Sequence, residues 1–392
     1  MATTAETIRR YRGPALLERG FRPFFLGAAA FAALALPVWL VALALGRALP
    51  SALSGRDWHV HEMVFGYVAA VVAGFLLTAI PNWTGRLPIA GMRLALLALL
   101  WLAGRVAMAV SAWAPMTAAA VDAAFLVMLA GLFWREIVAG RNWRNAPVCA
   151  VVTGLALANI GFHAAGFAGA DRAAAERFGL GLVALLIALV GGRIVPSFTR
   201  NWLARQKADA LPAPFGRLDA AALFVTIAAV AVWVAVPGTA ASGGLFAAMA
   251  VLLAARVARW RGAATLAEPL VTVLHVGYGW LPLWAALMAL AALRPALIDA
   301  STALHALTAG AIGTMTVAVM TRASLGHSGR ALTAGPLTVA VYALVGAGAL
   351  ARLAAPYLPL DHTLAVAIAG ALWSAGMALF AVGYAPMLLG RR

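Results

Sequence analysis

Apolar runs of about 20 residues recur along the whole chain, separated by short stretches carrying Arg, Pro and Gly, and this is the length a helix needs to cross a bilayer. Twelve runs are predicted as helices, at 24–46, 58–81, 92–110, 114–138, 146–168, 176–198, 218–236, 243–257, 265–290, 301–320, 331–350 and 362–389. The longest loop, 200–217, contains Pro212 and Pro214 and reads as a connector. No soluble segment is long enough to fold alone. The expected architecture is therefore an all-α polytopic membrane protein: one transmembrane domain over 1–392, with 1–22 as a polar, basic N-terminal segment on the cytoplasmic side. The apolar run after that segment is too long for a signal-peptide core and lacks a small-residue cleavage site, so the first span is expected to be retained.

Composition agrees, with 64% hydrophobic and 11% charged residues against roughly one half and one quarter in a soluble domain. The net charge of +16 is a matter of topology. With helices alternating in direction, 21 of the 29 Lys and Arg fall on one side with both termini, and 6 on the other; Arg105 and Arg193 lie within spans. The positive-inside rule then places both termini in the cytoplasm of a bacterial inner membrane. No basic run is interleaved with aromatics, so nucleic acid is not an expected partner. The single cysteine, Cys149, excludes an intrachain disulfide and a thiolate cluster, leaving histidine as the main metal donor.

Spans two, six and ten run in one direction and end in related polar exits, PNWTGR (81–86), PSFTRNW (196–202) and MTRASLGHSGR (320–330). This suggests four helices used three times.

Polar side chains in hydrocarbon cost free energy unless paired or used, which makes the intramembrane histidines the main candidates for chemistry. At about 1.5 Å per residue, His59, His61, His163 and His305 lie nearly level toward the outer side, and His275 near the middle. Residues two apart on an α-helix point about 200° from each other, so His59 and His61 are not expected to share one ion. His59 shares a stripe with Glu62 and Met63, which suits copper. His61, backed by Phe65, suits an axial haem ligand, as do His305 and His275. His163 joins the copper candidates. Arg105 and Asp122 lie at similar depth and are expected either to pair between adjacent helices or to leave Arg105 for a haem propionate. Glu136, Arg193 and Glu268 fall toward cytoplasmic helix ends, where snorkelling is the default. His327 and His362 fall in or beside loops and read as solvated; His327 and Arg193 are retained as lesser candidates. The chain has no GxxxxGK[ST], HExxH, GxSxG or CxxCH motif, which excludes covalently attached haem and leaves b-type haem open.

WHVHEMVFG (58–66), TAIPNWTG (78–85), GGRIVPSFTRNW (191–202), LHVGYGWL (274–281) and HALTAGAIGTMTVAVMTRASLGHSGR (305–330) occur in the order in which they resemble the NnrS family. The likeness begins at FRPFF (21–25) and includes LAGR ending at Arg105 and the Asn159 and His163 pair. The resemblance implies a twelve-helix protein with haem b and copper, whose ligand is nitric oxide and which supports nitrosative-stress tolerance. His59, His61, His163, His275, His305 and His327 match the family's histidines, without a metal being allotted to each. The architecture is also similar to the haem-copper oxidases, with haem ligands on helices two and ten. Their copper histidines lie on helices six and seven, however, and here those helices have none. Whether nitric oxide is turned over, and by which electron donor, is left open. The alternative is a secondary transporter for a metal or metal complex, with Pro196, Pro269 and Pro282 breaking helices around the histidines.

Overall fold

The computed structural model describes residues 11–390 and is helical, with no strand among them. Twelve helices are long and apolar enough to cross a membrane: α1 Phe21–Ala44, α2 Gly55–Thr84, α3 Met92–Ala109, α4 Pro115–Ala139, α5 Trp143–Phe167, α6 Ala173–Arg205, α7 Arg217–Ala235, α8 Ala240–Ala258, α9 Pro269–Leu293, α10 Ala300–His327, α11 Pro336–Tyr357 and α12 His362–Leu389. Each corresponds to one predicted span. Their starts follow local chemistry. The Ser54, Thr239 and Asp299 side chains accept from backbone N–H groups of the first turns of α2, α8 and α10, and prolines open α4, α9 and α11.

α2, α6 and α10 run further toward the arginine-rich side than hydropathy alone predicts. In their polar exits threonine hydroxyls are satisfied by bonding back to carbonyls four residues earlier: Thr84 to Ile80 (2.9 Å), Thr199 to Val195 (2.8 Å) and Thr321 to Val317 (2.8 Å). Pro196 and Pro282 lie inside helices that continue past them, and Pro269 is the first residue of α9. The helix breaks expected of a transporter around His275 are therefore not present.

The chain forms two compact units. The first is Met1–Gly179, Ala323–Arg330 and Met377–Arg392; the second is Leu180–Arg322 and Ala331–Gly376. In the first unit, α2 packs on α1 and α4, α3 on α4, and α4 on α5, around buried Phe24, Phe25, Phe65, Phe125 and Phe133. In the second, α8 packs along α7 and α9 around Trp260, Tyr278 and Trp284. Buried Arg256 joins four helices there, donating to Asp219 (2.9 Å), the Ala188 carbonyl (2.9 Å) and the Tyr278 hydroxyl (2.7 Å).

α2, α6 and α10 each contain a π turn, at Glu62–Val68, Ile187–Gly191 and Ala306–Ile312. The α segments that follow are 16, 14 and 15 residues long, so the turns sit at nearly the same height above the arginine-rich ends. A π turn disturbs the i→i−4 ladder and turns carbonyls outward. In each helix a neighbour's side chain takes one of them: Trp101 Nε1 donates to Gly66 (3.0 Å), Arg256 to Ala188 (2.9 Å) and Trp373 Nε1 to Ala309 (3.3 Å). His61 and His305 immediately precede their π turns, and Leu186 holds that place in α6.

Candidate metal centre

Within the first unit, four helices bring six polar side chains into contact: His61 and Glu62 from α2, Arg105 from α3, Asp122 from α4, and Asn159 and His163 from α5. All six are buried. Asn159 and His163 are four residues apart and share one face of α5. Asp122 is the hub. Its Oδ2 lies 3.1 Å from His61 Nε2, 3.0 Å from His163 Nε2 and 2.8 Å from the donating Asn159 amide, while Oδ1 accepts from Arg105. Glu62 Oε1 lies 2.9 Å from His61 Nδ1 and accepts from Arg105 at 2.7 Å. The Asn159 carbonyl is 3.1 Å from His61 Nε2.

Glycines make room for this cluster. A Cβ on Gly66 would lie 2.6 Å from an Arg105 guanidinium nitrogen, and one on Gly104 would lie 3.2 Å from Asp122 Cα, so both residues permit the close approach of α2, α3 and α4. Phe65 and Phe162 flank the His61 ring at 5.4 and 5.5 Å. Arg172 covers the Phe162 ring (5.5 Å) and pairs with Asp57 (3.0 Å), while Arg56 pairs with Glu176 (2.8 Å); these ties fasten the start of α2 to the segment between α5 and α6.

One ligand atom each from His61, Asp122 and His163 lies within 4.8 Å of the others, a spacing that could close on one metal ion. Both His61 ring nitrogens face carboxylate oxygens, so a protonated His61 together with Arg105 balances Glu62 and Asp122, and a metal ion bound at Nε2 would supply the charge in place of that proton. Glu62 Oε2 is also buried with no hydrogen-bond partner, so one carboxylate lone pair remains unspent beside His61.

The grouping differs from the helical stripe read from the sequence. His59, Glu62 and Met63 do not converge. His59 stacks on Trp39 of α1 (4.1 Å between ring centres, 17° between planes), Met63 is half-buried, and Glu62 serves His61. The reason is the π turn that begins at Glu62, where the 100°-per-residue step behind the stripe no longer holds. Arg105 pairs with Glu62 and Asp122 between helices and lies over the Phe31 ring (5.9 Å), while its Nε is buried without a hydrogen-bond partner.

Of the three axial candidates, His61 has both ring nitrogens engaged by the cluster. His275 Nε2 faces Thr199 Oγ1 at 2.7 Å, and its Nδ1, beside Gly262, is buried with no hydrogen-bond partner. His305 likewise keeps one ring nitrogen unbonded. Its Nδ1 lies 2.7 Å from the Ser301 carbonyl, which only an N–H can satisfy, leaving Nε2 as the bare nitrogen.

His327 is not in a loop: it ends α10, with its ring 5.6 Å from Phe21. His362 is exposed at the start of α12, and Arg193 is exposed on α6. Glu268 is buried rather than snorkelling, accepting from Leu270 N and Ala334 N at 3.0 Å each. Arg352 received no role from the sequence. The available signal was its place near the outer end of α11, the side on which arginines are scarce.

These features define a multi-pass membrane protein with a buried histidine and carboxylate cluster suited to a cation. The family model described as NnrS protein matches residues 15–392, and the chain belongs to the NnrS family. That membership supports a membrane protein of the nitric-oxide response. No curated protein matches the chain.

Proposed function

We propose that the protein carries copper at His61, Asp122 and His163, carries haem b elsewhere among its helices, and binds nitric oxide in the bacterial inner membrane in support of nitrosative-stress tolerance. The observation behind this reading is the convergence of three ligand atoms, from three helices, inside a buried cluster. Two imidazole nitrogens and a carboxylate oxygen suit copper, zinc or iron(II) alike, and the family resemblance is what selects copper among them. Bound copper supplies an electron-rich centre for nitric oxide, an apolar gas that reaches such a site through the bilayer.

The surrounding residues hold and shield the ligands. Glu62 orients His61 through Nδ1 and so leaves Nε2 for the metal, the Asn159 amide donates to Asp122, Arg105 fixes both carboxylates, and Phe65 and Phe162 flank the His61 ring. Outer-shell hydrogen bonds of this kind set tautomer and ring orientation at metal sites. The test is metal analysis of protein purified from copper-replete cells, followed by optical titration with nitric oxide. Copper that co-purifies in proportion to protein, with a spectrum that changes on adding nitric oxide, supports the reading. Protein that takes up no copper and shows no response overturns it.

A further inference from the structure

The histidine and carboxylate cluster lies close to one face of the first unit. His163 is four residues from the end of α5 at Phe167, about 6 Å along the helix, and twenty from its start at Trp143, about 30 Å. The long route runs through apolar core, where the Phe24 and Phe125 rings meet at 5.8 Å and Phe133 is buried. A cation on that route would leave water with nothing to replace it, at a high cost in free energy. The short route ends at His163, which at 8% is the most exposed of the six cluster residues; the other five are at 4% or less.

A strap of charged side chains closes the short route. After α5 the chain turns at Gly169 (φ 68°), and Asp171 accepts from Ala173 N (2.9 Å) at the start of α6, which fixes Arg172 between turn and helix. From there the guanidinium reaches back over α5. It fills the space left by Gly166, three residues beyond His163, where a Cβ would lie 1.9 Å from Nη2. It also lies over the Phe162 ring (5.5 Å), which stands 5.5 Å from the His61 ring, and it pairs with Asp57 of α2 (3.0 Å). A second tie of opposite polarity runs beside it, with Arg56 donating to both Glu176 oxygens (3.0 and 2.8 Å). The Arg172 side chain is 23% exposed and its Nε has no hydrogen-bond partner, so Asp57 and the ring are what hold it. Ion pairs that meet water are weak and open readily.

We propose that this strap is the gate through which a metal ion reaches His61, Asp122 and His163, from the side opposite both chain termini. The inference rests on the cluster being a metal site and adds the route. When Arg172 leaves Gly166 and Phe162, Asp57 is released to meet the incoming cation and His163 is the first ligand it encounters. When Arg172 returns, the site is closed again. Arg172 therefore sets the rate of exchange and leaves the affinity alone.

The test gives copper(II) and zinc(II) separately to the purified full-length protein and follows uptake, then release to a chelator, by metal analysis over time. Arg172→Ala is expected to speed both uptake and release roughly three- to thirtyfold, the range for losing an ion pair and a cation–π contact, with equilibrium affinity moved by less than about twofold. Asp57→Asn, which frees the arginine without removing it, is expected to speed both by less. Arg86→Ala, which breaks an ion pair with Glu136 at the other ends of α2 and α4, is expected to leave both rates unchanged. If Arg172→Ala fails to fold, Asp57→Asn decides the matter. Wild-type rates in the strap variants, or release that quickens without uptake, overturn the gate and leave the metal site standing. Protein that binds zinc but not copper overturns the choice of copper and leaves the gate to be judged on zinc rates; protein that binds neither removes site and gate together.

Discussion

His61 and His163 come from α2 and α5, yet their Nε2 atoms stand 3.1 and 3.0 Å from one oxygen, Oδ2 of Asp122. Two imidazoles meeting at one carboxylate oxygen inside a bilayer are expensive unless a shared positive charge completes them. A proton can supply that charge, and so can a metal ion. Metal binding at such a site displaces protons, because ligating imidazoles must be neutral.

His163→Ala is therefore expected to abolish stoichiometric copper binding while leaving the haem spectrum unchanged. Metal analysis on purified variant protein checks this. Copper retained at the wild-type level removes His163 from the ligand set.

Asn159→Ala leaves the three ligands in place but removes the amide that holds both His61 and Asp122. Losses of outer-shell partners cost about 10- to 100-fold in metal affinity. Competition against a copper chelator should show a shift of that size, with full occupancy regained at high copper. An unshifted titration means that the amide does not position the ligands.

Arg105→Met strips the counter-charge from two buried carboxylates. Removing one partner of a buried pair destabilises by about 3–5 kcal/mol. Thermal unfolding in detergent should show a large loss for the single variant and a smaller additional one when Glu62→Gln is combined with it, because the two residues share one network. Simple additivity contradicts the shared network.

Gly66→Ala puts a methyl group 2.6 Å from the Arg105 guanidinium, where no neighbour can yield without breaking the network. Overpacking of this kind costs about 1–3 kcal/mol. The variant is expected to be less stable and to bind copper more weakly, both readable in the assays above, whereas Gly131→Ala, which meets no neighbour within 4 Å, is expected to be silent in both.

The charge asymmetry makes an independent prediction about topology. A fluorescent protein fused after Arg392 should fold and emit, and alkaline phosphatase at the same point should be inactive. The opposite pair of results inverts the orientation.

Much of this was legible in the sequence, and the limits have physical causes. Hydropathy located all twelve helices, because a bilayer demands long apolar runs and tolerates few other solutions. Membrane cost likewise picked out His61, Glu62, Arg105, Asp122 and His163, and the family resemblance added the Asn159 and His163 pair. The pairing was not legible. A stripe drawn at α-helical pitch joins His59, Glu62 and Met63, but the chain enters a π turn at Glu62, and residue type gives little warning of such a turn. Glu268 read as a helix-end group, and only the fold shows that its carboxylate ties α9 to Ala334. Arg352 could be counted as a charge on the sparse side, but that its Nη1 is buried without a hydrogen-bond partner is a fact of packing.

The most direct measurement is copper K-edge X-ray absorption on copper-loaded protein, compared between wild type and His163→Ala. The account predicts two imidazoles and an oxygen donor in the wild type, with imidazole scattering diminished or copper absent in the variant. A sulfur-ligated spectrum, or an imidazole signal unchanged in His163→Ala, contradicts it.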